Sequence, residues 1–459
     1  MSQPFRVLCA THLFVLSALL VTSTAGAAAE SERAPVSFSR EIAPLLQRKC
    51  VTCHGPEKAK GGFQLHTFEA LRKPGESREM PITAGQPKAS KLYQLLVTPD
   101  ADDRMPQKDE PLPSAQIELM ERWIREGAHF DGNDPKATLV SLRGVTVHPA
   151  PPERYAAPVP IAALAFSANG QVLAASGYHE VTFWNPTNGS LLGRATNMEQ
   201  QTLALAYSPD GAWLAVAGGT PGRSGEVRLL ELNQNAAVSS AKVLTRSGDL
   251  LLTLAFSPDG RKLAVGGADN IIRVLRLPEG EEERRIEQHA DWVTSLAWSP
   301  NGEQVASASR DKTARLLDVK TGELEETYTG HVQPLFGVAF VNGNRMLVSG
   351  GREQSLHVWQ AKEAKKSYEV RGFEMGLWRI LASSNDVFTC SSDRLVRHYR
   401  LGAKAAEEIR TFKGHGDVVY ALAYHAPSQR LATGSYDGEV KIWNVADGKL
   451  INGFVAAPR

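Results

Sequence analysis

A small all-α domain followed by an all-β, seven-bladed propeller, in one multidomain chain, is the fold class that the sequence predicts. Three observations carry that expectation. Helical spacing surrounds a Cys-x-x-Cys-His run in the first part of the chain. A phrase of the type Leu-Ala-Phe-Ser-Pro-Asp-Gly returns at near-constant spacing in the rest. A proline-rich stretch, "HPAPPERYAAPVP", stands between the two.

The chain opens with a short basic start, Met1 to Arg6. An apolar run from Val7 to Val21 follows, interrupted by Thr11, His12 and Ser17. Small residues then offer cleavage after Ala27 or Ala29. Residues 1–29 read as a secretory signal peptide, so the mature chain is expected outside the cytoplasm, in the periplasm or cell envelope. Membrane attachment is expected only where that signal stays uncleaved, because no other stretch approaches the ~18 apolar residues of a span. Leu8 before Cys9 makes a poor lipoprotein signal. The formal net charge is +1, with no block of like charge and no arginine-rich arm, which argues against a nucleic-acid partner.

Beyond the signal, the cysteines are Cys50, Cys53 and Cys390, too few for a disulfide framework. Cys390 lies in the apolar run Val387-Phe388-Thr389-Cys390 and is expected to be a small buried hydrophobe. A zinc knuckle at Cys50 and Cys53 would need a second ligand pair, and a redox dithiol would need a βαβ context. Neither accounts for His54. Haem attachment accounts for all three. Thiols at i and i+3 share one face of a helical turn and can reach the two vinyl groups along one haem edge. The next residue then sets an imidazole beneath the iron. One covalent haem c is therefore expected, with Cys50 and Cys53 as thioether ligands and His54 as the proximal iron ligand. Met105, in the polar loop Asp103-Arg104-Met105-Pro106-Gln107, is the expected distal ligand, since a soft thioether suits haem iron. Met80 is the runner-up, and His66 and His129 are weaker choices.

Flanking spacing agrees with helices. Ile42, Leu45, Leu46, Cys50 and Cys53 follow one helical face, with Ser39 as the expected cap. A second helix is expected from about Ser114 to Glu126, with Ile117, Met120, Trp123 and Ile124 inward and Gly127 at its end. The runs "FSREIAPLLQRKCVTCHG", "KAKGGFQLHT", "AGQPKASKLYQLL", "DRMPQKDEPL" and "IELMERWIREGA" together resemble the planctomycete-type cytochrome c domain, from about Phe38 to Phe130. The resemblance implies haem c on Cys50, Cys53 and His54, with Met105 distal. Where that family usually reads Met-Pro-Pro, this chain reads Met105-Pro106-Gln107. The cytochrome c-like haem domain is placed at residues 34–131 and the proline-rich linker at 132–159.

The recurring phrase starts at Leu164, Leu205, Leu254, Leu296, Val338 and Leu422, with a weaker copy from Ile380. A period of about 42 residues, with four short strands per unit, means a propeller. Pro-Asp-Gly and Asn-Gly turns join strands into hairpins. The pattern resembles the WD-40 repeat family, and the propeller is placed at residues 160–456. Gly414-His415, Ser435, Asp437 and Trp443 match that family's structural hydrogen-bond network. Repeat four offers His289, Ser309 and Asp311 with Leu317 for the tryptophan, and repeat five offers His331 and Trp359. Recurrence at repeat spacing marks these residues as architecture, so no catalytic residue is assigned. Leu450 to Val455 is expected to supply the last outer strand, with Leu139 to Val147 as its competitor.

The functional expectation is an electron carrier or redox sensor joined to a protein-interaction platform. Its partners would be a redox partner protein and a protein docked on the propeller. A haem enzyme with a second cofactor or substrate site in the propeller is the alternative, as in exported nitrite reductases that join a cytochrome c domain to a propeller. Those propellers are larger and not of WD type, and a second Cys-x-x-Cys-His is absent here. Cell-surface or polysaccharide binding is the third reading. Loops Gly219 to Gly225 and Glu363 to Met375 are irregular enough to be binding loops.

Overall fold

The computed structural model describes residues 35–56, 58–107, 110–132, 135–136, 138–139, 148–233 and 237–457. The expected signal peptide lies outside the described residues, as does most of the competing strand 139–147. Among the described residues, no helix is long and apolar enough to cross a membrane.

Five short α-helices make up the N-terminal part: α1 (Ala43–Lys49), α2 (Val51–His54), α3 (Phe68–Leu71), α4 (Lys91–Val97) and α5 (Ser114–Arg125). One apolar cluster joins them, built on Phe38, Leu46, Phe68, Met120, Trp123 and Ile124. The amphipathic spacing read for α5 holds: Met120, Trp123 and Ile124 are buried, and Gly127 follows with φ +106°. The ring of Phe38 lies 4.8 Å from Phe68 and 5.3 Å from Trp123, so short helices are tied by aromatic contact.

The first helix departs from expectation at both ends. A π turn over Phe38–Ile42 precedes α1, and the N-cap of α1 is Ile42, which makes no side-chain cap bond. Ser39 caps nothing. Its backbone N–H donates to Asp131 Oδ1 at 2.7 Å, and Ser37 Oγ also bonds Asp131. The segment is thus pinned from outside by the carboxylate that follows α5. At the other end the helix breaks at Cys50 (φ −125°) and resumes for one turn.

Seven four-stranded antiparallel sheets follow, each made of four consecutive strands: β1–β4 (164–195), β5–β8 (201–247), β9–β12 (251–286), β13–β16 (293–328), β17–β20 (335–371), β21–β24 (377–412) and β25–β28 (419–455). The first strands of blades three to seven start at Leu251, Val293, Leu335, Leu377 and Val419, steps of about 42 residues. Second strands are short, small-residue and buried at nearly every position, as in Leu173–Ser176 and Gln304–Ser309. Both faces are covered by neighbouring blades, which is why the runs read as continuous rather than alternating. In the hairpin turns a serine and an aspartate tie the loop: Ser257 Oγ donates to Asp259 Oδ1 at 2.6 Å, and Gly260 supplies φ +71°. Cys390 is fully buried, and burial pushes its thiol up to about 12, as a packed hydrophobe requires.

Leu450–Val455 is the outer strand of the seventh blade, paired to Glu439–Asn444. Among the described residues, no strand is exchanged between the first and last blades. Their seam closes through the cluster of Ile161, Leu164, Phe166, Ala421, Ala432 and Val440. The Ile161 N–H donates to the Ser435 carbonyl at 3.1 Å, and His425 Nε2 bonds the Ala168 carbonyl at 3.0 Å.

Glu226, buried in blade two, is bonded by His148, Arg228 and Arg246. Burial alone would raise its pKa; the His148 hydrogen bond and the two arginine charges outweigh it and hold the carboxyl at about 2. A depressed pKa stabilises the fold above the ordinary carboxylate range and is lost as pH falls through it. Acid titration is expected to remove about 3 kcal/mol at this site between pH ~4.5 and ~2. Comparing acid unfolding of the wild type with Glu226→Gln checks this: the variant should be less stable at neutral pH and show a shallower loss in that window.

Candidate functional site

The Cys-x-x-Cys-His run forms one turn. The N–H groups of Cys53 and His54 both donate to the Cys50 carbonyl, at 3.1 and 3.0 Å. Both thiols are half-buried and unpaired. Burial, reinforced by Cys53, pushes the Cys50 thiol up to about 12, and Cys50 packs against the helical core.

The segment after the turn holds His54 in place twice. Its carbonyl accepts the Leu65 N–H at 2.9 Å, and its Nδ1 lies 3.2 Å from the Phe63 carbonyl. A carbonyl can only accept, so Nδ1 carries the proton and Nε2 presents a lone pair. That is the arrangement of an imidazole ready to ligate a metal. The residues present therefore fit a haem: Cys50 and Cys53 could hold it, and His54 Nε2 could ligate its iron.

The distal choices separate by environment. Met105 packs against the helical core, and its N–H donates to the Leu95 carbonyl at 2.9 Å. Met80 is 50% exposed. His66 Nδ1 is buried without a partner, while the His129 carbonyl accepts the Trp123 indole N–H at 3.0 Å.

In the propeller, the expected histidine networks are present but use different hydroxyls. His289 bonds Asp311 at 2.8 Å and Ser307 at 2.7 Å; Ser309 instead donates to the Asp291 carbonyl. His415 bonds Thr433 at 2.6 Å, and Trp443 Nε1 donates to the same oxygen at 3.0 Å. Ser435 turns to Asp437 at 2.5 Å. In blade five, His331 Nε2 and Trp359 Nε1 meet at Ser349 Oγ, 2.9 and 3.0 Å away. These are buried hydrogen-bond networks, consistent with architecture, with His415 Nδ1 the one ring nitrogen of the three left without a hydrogen-bond partner.

Two features were not expected from the sequence. Arg379 lies on a first strand, at a central cavity of about 380 Å³, and donates across to the Leu203 carbonyl at 2.9 Å. The other is an arc of partly exposed aromatics on three successive blades. Phe336 stacks on Trp378 (5.1 Å), Trp378 meets Tyr420 (5.0 Å), and Tyr420 approaches exposed Tyr436 (6.1 Å). Met375 and Val332, both more than half exposed, belong to loops that precede the same first strands. Phe336, Trp378 and Tyr420 each take the second place of a first strand, a spacing that could have revealed the arc.

Fold and site thus define a WD-repeat propeller preceded by a helical segment of cytochrome type. Residues 50–109 match the family model for planctomycete cytochrome C. Residues 240–275, 280–318, 322–360 and 406–444 match the model for the WD domain, G-beta repeat. Among curated proteins, the chain is similar to the target of rapamycin complex subunit wat1 of Schizosaccharomyces pombe, 28% identical over 92 residues (20% of this chain, 29% of that protein). It is also similar to the protein transport protein SEC13 of Coccidioides immitis, 40% identical over 57 residues (12% and 19%). The chain therefore spans less than a third of either relative.

Proposed function

We propose that the chain is an exported mono-haem c-type cytochrome that passes single electrons and is carried on a docking propeller. The observation that carries this reading is the His54 imidazole, oriented by the Phe63 carbonyl beside two unpaired thiols, within a segment matching the cytochrome model. Bound haem supplies an iron that alternates between ferric and ferrous states. The chain's own residues do the rest. Cys50 and Cys53 would hold the cofactor covalently, and His54 Nε2 would ligate its iron. Met105 is assigned as the distal ligand, because it packs inward where Met80 faces solvent. Export supports covalent attachment, since a secreted carrier would otherwise lose its cofactor to dilution. The aromatic arc of Phe336, Trp378, Tyr420 and Tyr436 is the face offered to a protein partner, being rich in the residue types that anchor interfaces.

The test is haem quantitation with a reduced-minus-oxidised spectrum on the full mature chain, produced with c-type haem maturation machinery. One thioether-linked haem per chain is expected; none, or two, sinks the reading. Met105→Ala is expected to keep the haem but to lower the midpoint potential by on the order of 0.1 V, within the roughly 0.8 V that axial ligands command. Met80→Ala should leave the potential where it was. Potentiometric titration of the three proteins decides between the two methionines.

A further inference from the structure

One position of the ring sets blade five apart. On each third strand, the residue paired with the middle of the second strand is Thr182, Arg228, Arg273, Arg315, His357, Arg397 or Lys441, in blade order. In five blades it is a permanent cation, and each has an acid of its own blade nearby. Arg273 meets Asp269 at 2.6 Å, Arg397 meets Asp393 at 2.8 Å, Lys441 meets Glu439 at 2.6 Å, and Arg315 lies 4.0 Å from Asp311. Arg228 bonds Glu226. Blade five keeps the acid, Glu353, but has a histidine where the cation belongs.

That histidine faces two carboxylates. His357 Nε2 stands 3.7 Å from Glu353 Oε2 and 3.5 Å from Glu369 Oε2, the latter its cross-strand partner. The His331 ring stacks on it at 4.0 Å, with Nδ1 3.0 Å from the same Glu353 oxygen. Lys366 and Arg371 are committed to Glu369.

We propose that His331 Nδ1, Glu353 and His357 Nε2 form a site for a divalent transition metal of zinc type, with Glu369 as an outer carboxylate. The three ligand atoms lie within 4.8 Å of one another, and Glu353 Oε2 is 3.0 Å from His331 Nδ1 and 3.7 Å from His357 Nε2, separations that a pair of ~2.0–2.1 Å bonds can span. Two imidazoles and a carboxylate suit zinc and leave a fourth position for water. Each ring has a second partner that sets its tautomer. With Nδ1 on the metal, the His331 Nε2–H donates to Ser349 Oγ. With Nε2 on the metal, the His357 Nδ1–H donates to Tyr328 Oη, 2.8 Å away. With the ring protons on the outer nitrogens, the two inner nitrogens present lone pairs to the ion. The ion restores the charge that arginine or lysine supplies in five other blades. Entry is from a shallow depression lined by Gln333, Arg352, Glu353 and Ser355. A similar grouping of His415, Asp437 and Glu439 is not proposed, because Lys441 already neutralises it.

The experiment uses the full haem-loaded chain, stripped with a chelator and titrated with zinc chloride by calorimetry, with elemental analysis separating zinc from iron. One zinc per chain with submicromolar affinity is expected, together with a raised melting temperature for the propeller. His357→Arg is the discriminating variant, because it installs the residue that neighbouring blades use. It should melt no lower than the zinc-free wild type yet bind zinc at least 100-fold more weakly. His357→Gln is read beside it as a neutral substitution and should lose the same affinity. Absence of stoichiometric zinc in the wild type, or unchanged affinity in either variant, overturns the proposal.

Discussion

Replacing Cys50 and Cys53 together with alanine should yield a colourless chain whose propeller is still folded. Both thioether links go, and the bond from His54 is left to hold the cofactor alone. The measurement is haem per chain after gel filtration, expected to fall by more than tenfold. Far-ultraviolet dichroism and the main calorimetric transition should stay close to those of the parent. That separation rests on the cores: the helices share one apolar cluster, and each blade pair buries its own. Retained, stoichiometric haem in the double variant would show that attachment does not run through this pair.

Trp123→Ala should have the opposite signature, collapsing the helical part while the thiols remain. Trp123 is 1% exposed at the centre of that cluster, against Phe38 and Phe68, and its indole N–H closes on the His129 carbonyl. Removing a buried tryptophan costs about 3–5 kcal/mol. For a unit of roughly 100 residues, that lowers the melting transition by on the order of 10–20 °C. Differential scanning calorimetry should show the lower transition moving and the propeller transition standing still. A single transition that shifts as a whole would mean that helices and blades unfold together.

The ring is legible in the sequence because its repeat is long, regular and punctuated by turns that few residues can make. Its hydrogen-bond networks are legible only to within two residues. Ser307 and Ser309 lie on the same face of one strand, as do Thr433 and Ser435, and a period of two cannot say which reaches the histidine. The structure decides for the middle of the strand. Ser39 shows the opposite difficulty: its local context reads as a cap, and a carboxylate some ninety residues away, Asp131, takes its backbone instead. Helix α5 carried its apolar spacing in twelve local residues and its terminator, Gly127, just beyond them, so its bounds were read closely. The blade-five cluster was legible only in part: His331 was read as architecture, and His357 meets Glu369 through strand register, which the sequence does not display until the ladder is known.

The seam between the first and last blades has a mechanical meaning. Elsewhere around the ring the backbone itself runs from one blade to the next. Here the joint is held by side-chain packing and a few cross-seam hydrogen bonds. The chain arriving from the helical part passes this joint: the Pro158 side chain and the Val159 backbone lie against Gly438 of the last blade, and Ile161 is bonded to Ser435. The tether is thus anchored across the place where the ring lacks a covalent hoop. A displacement of the helical part would therefore load that joint first.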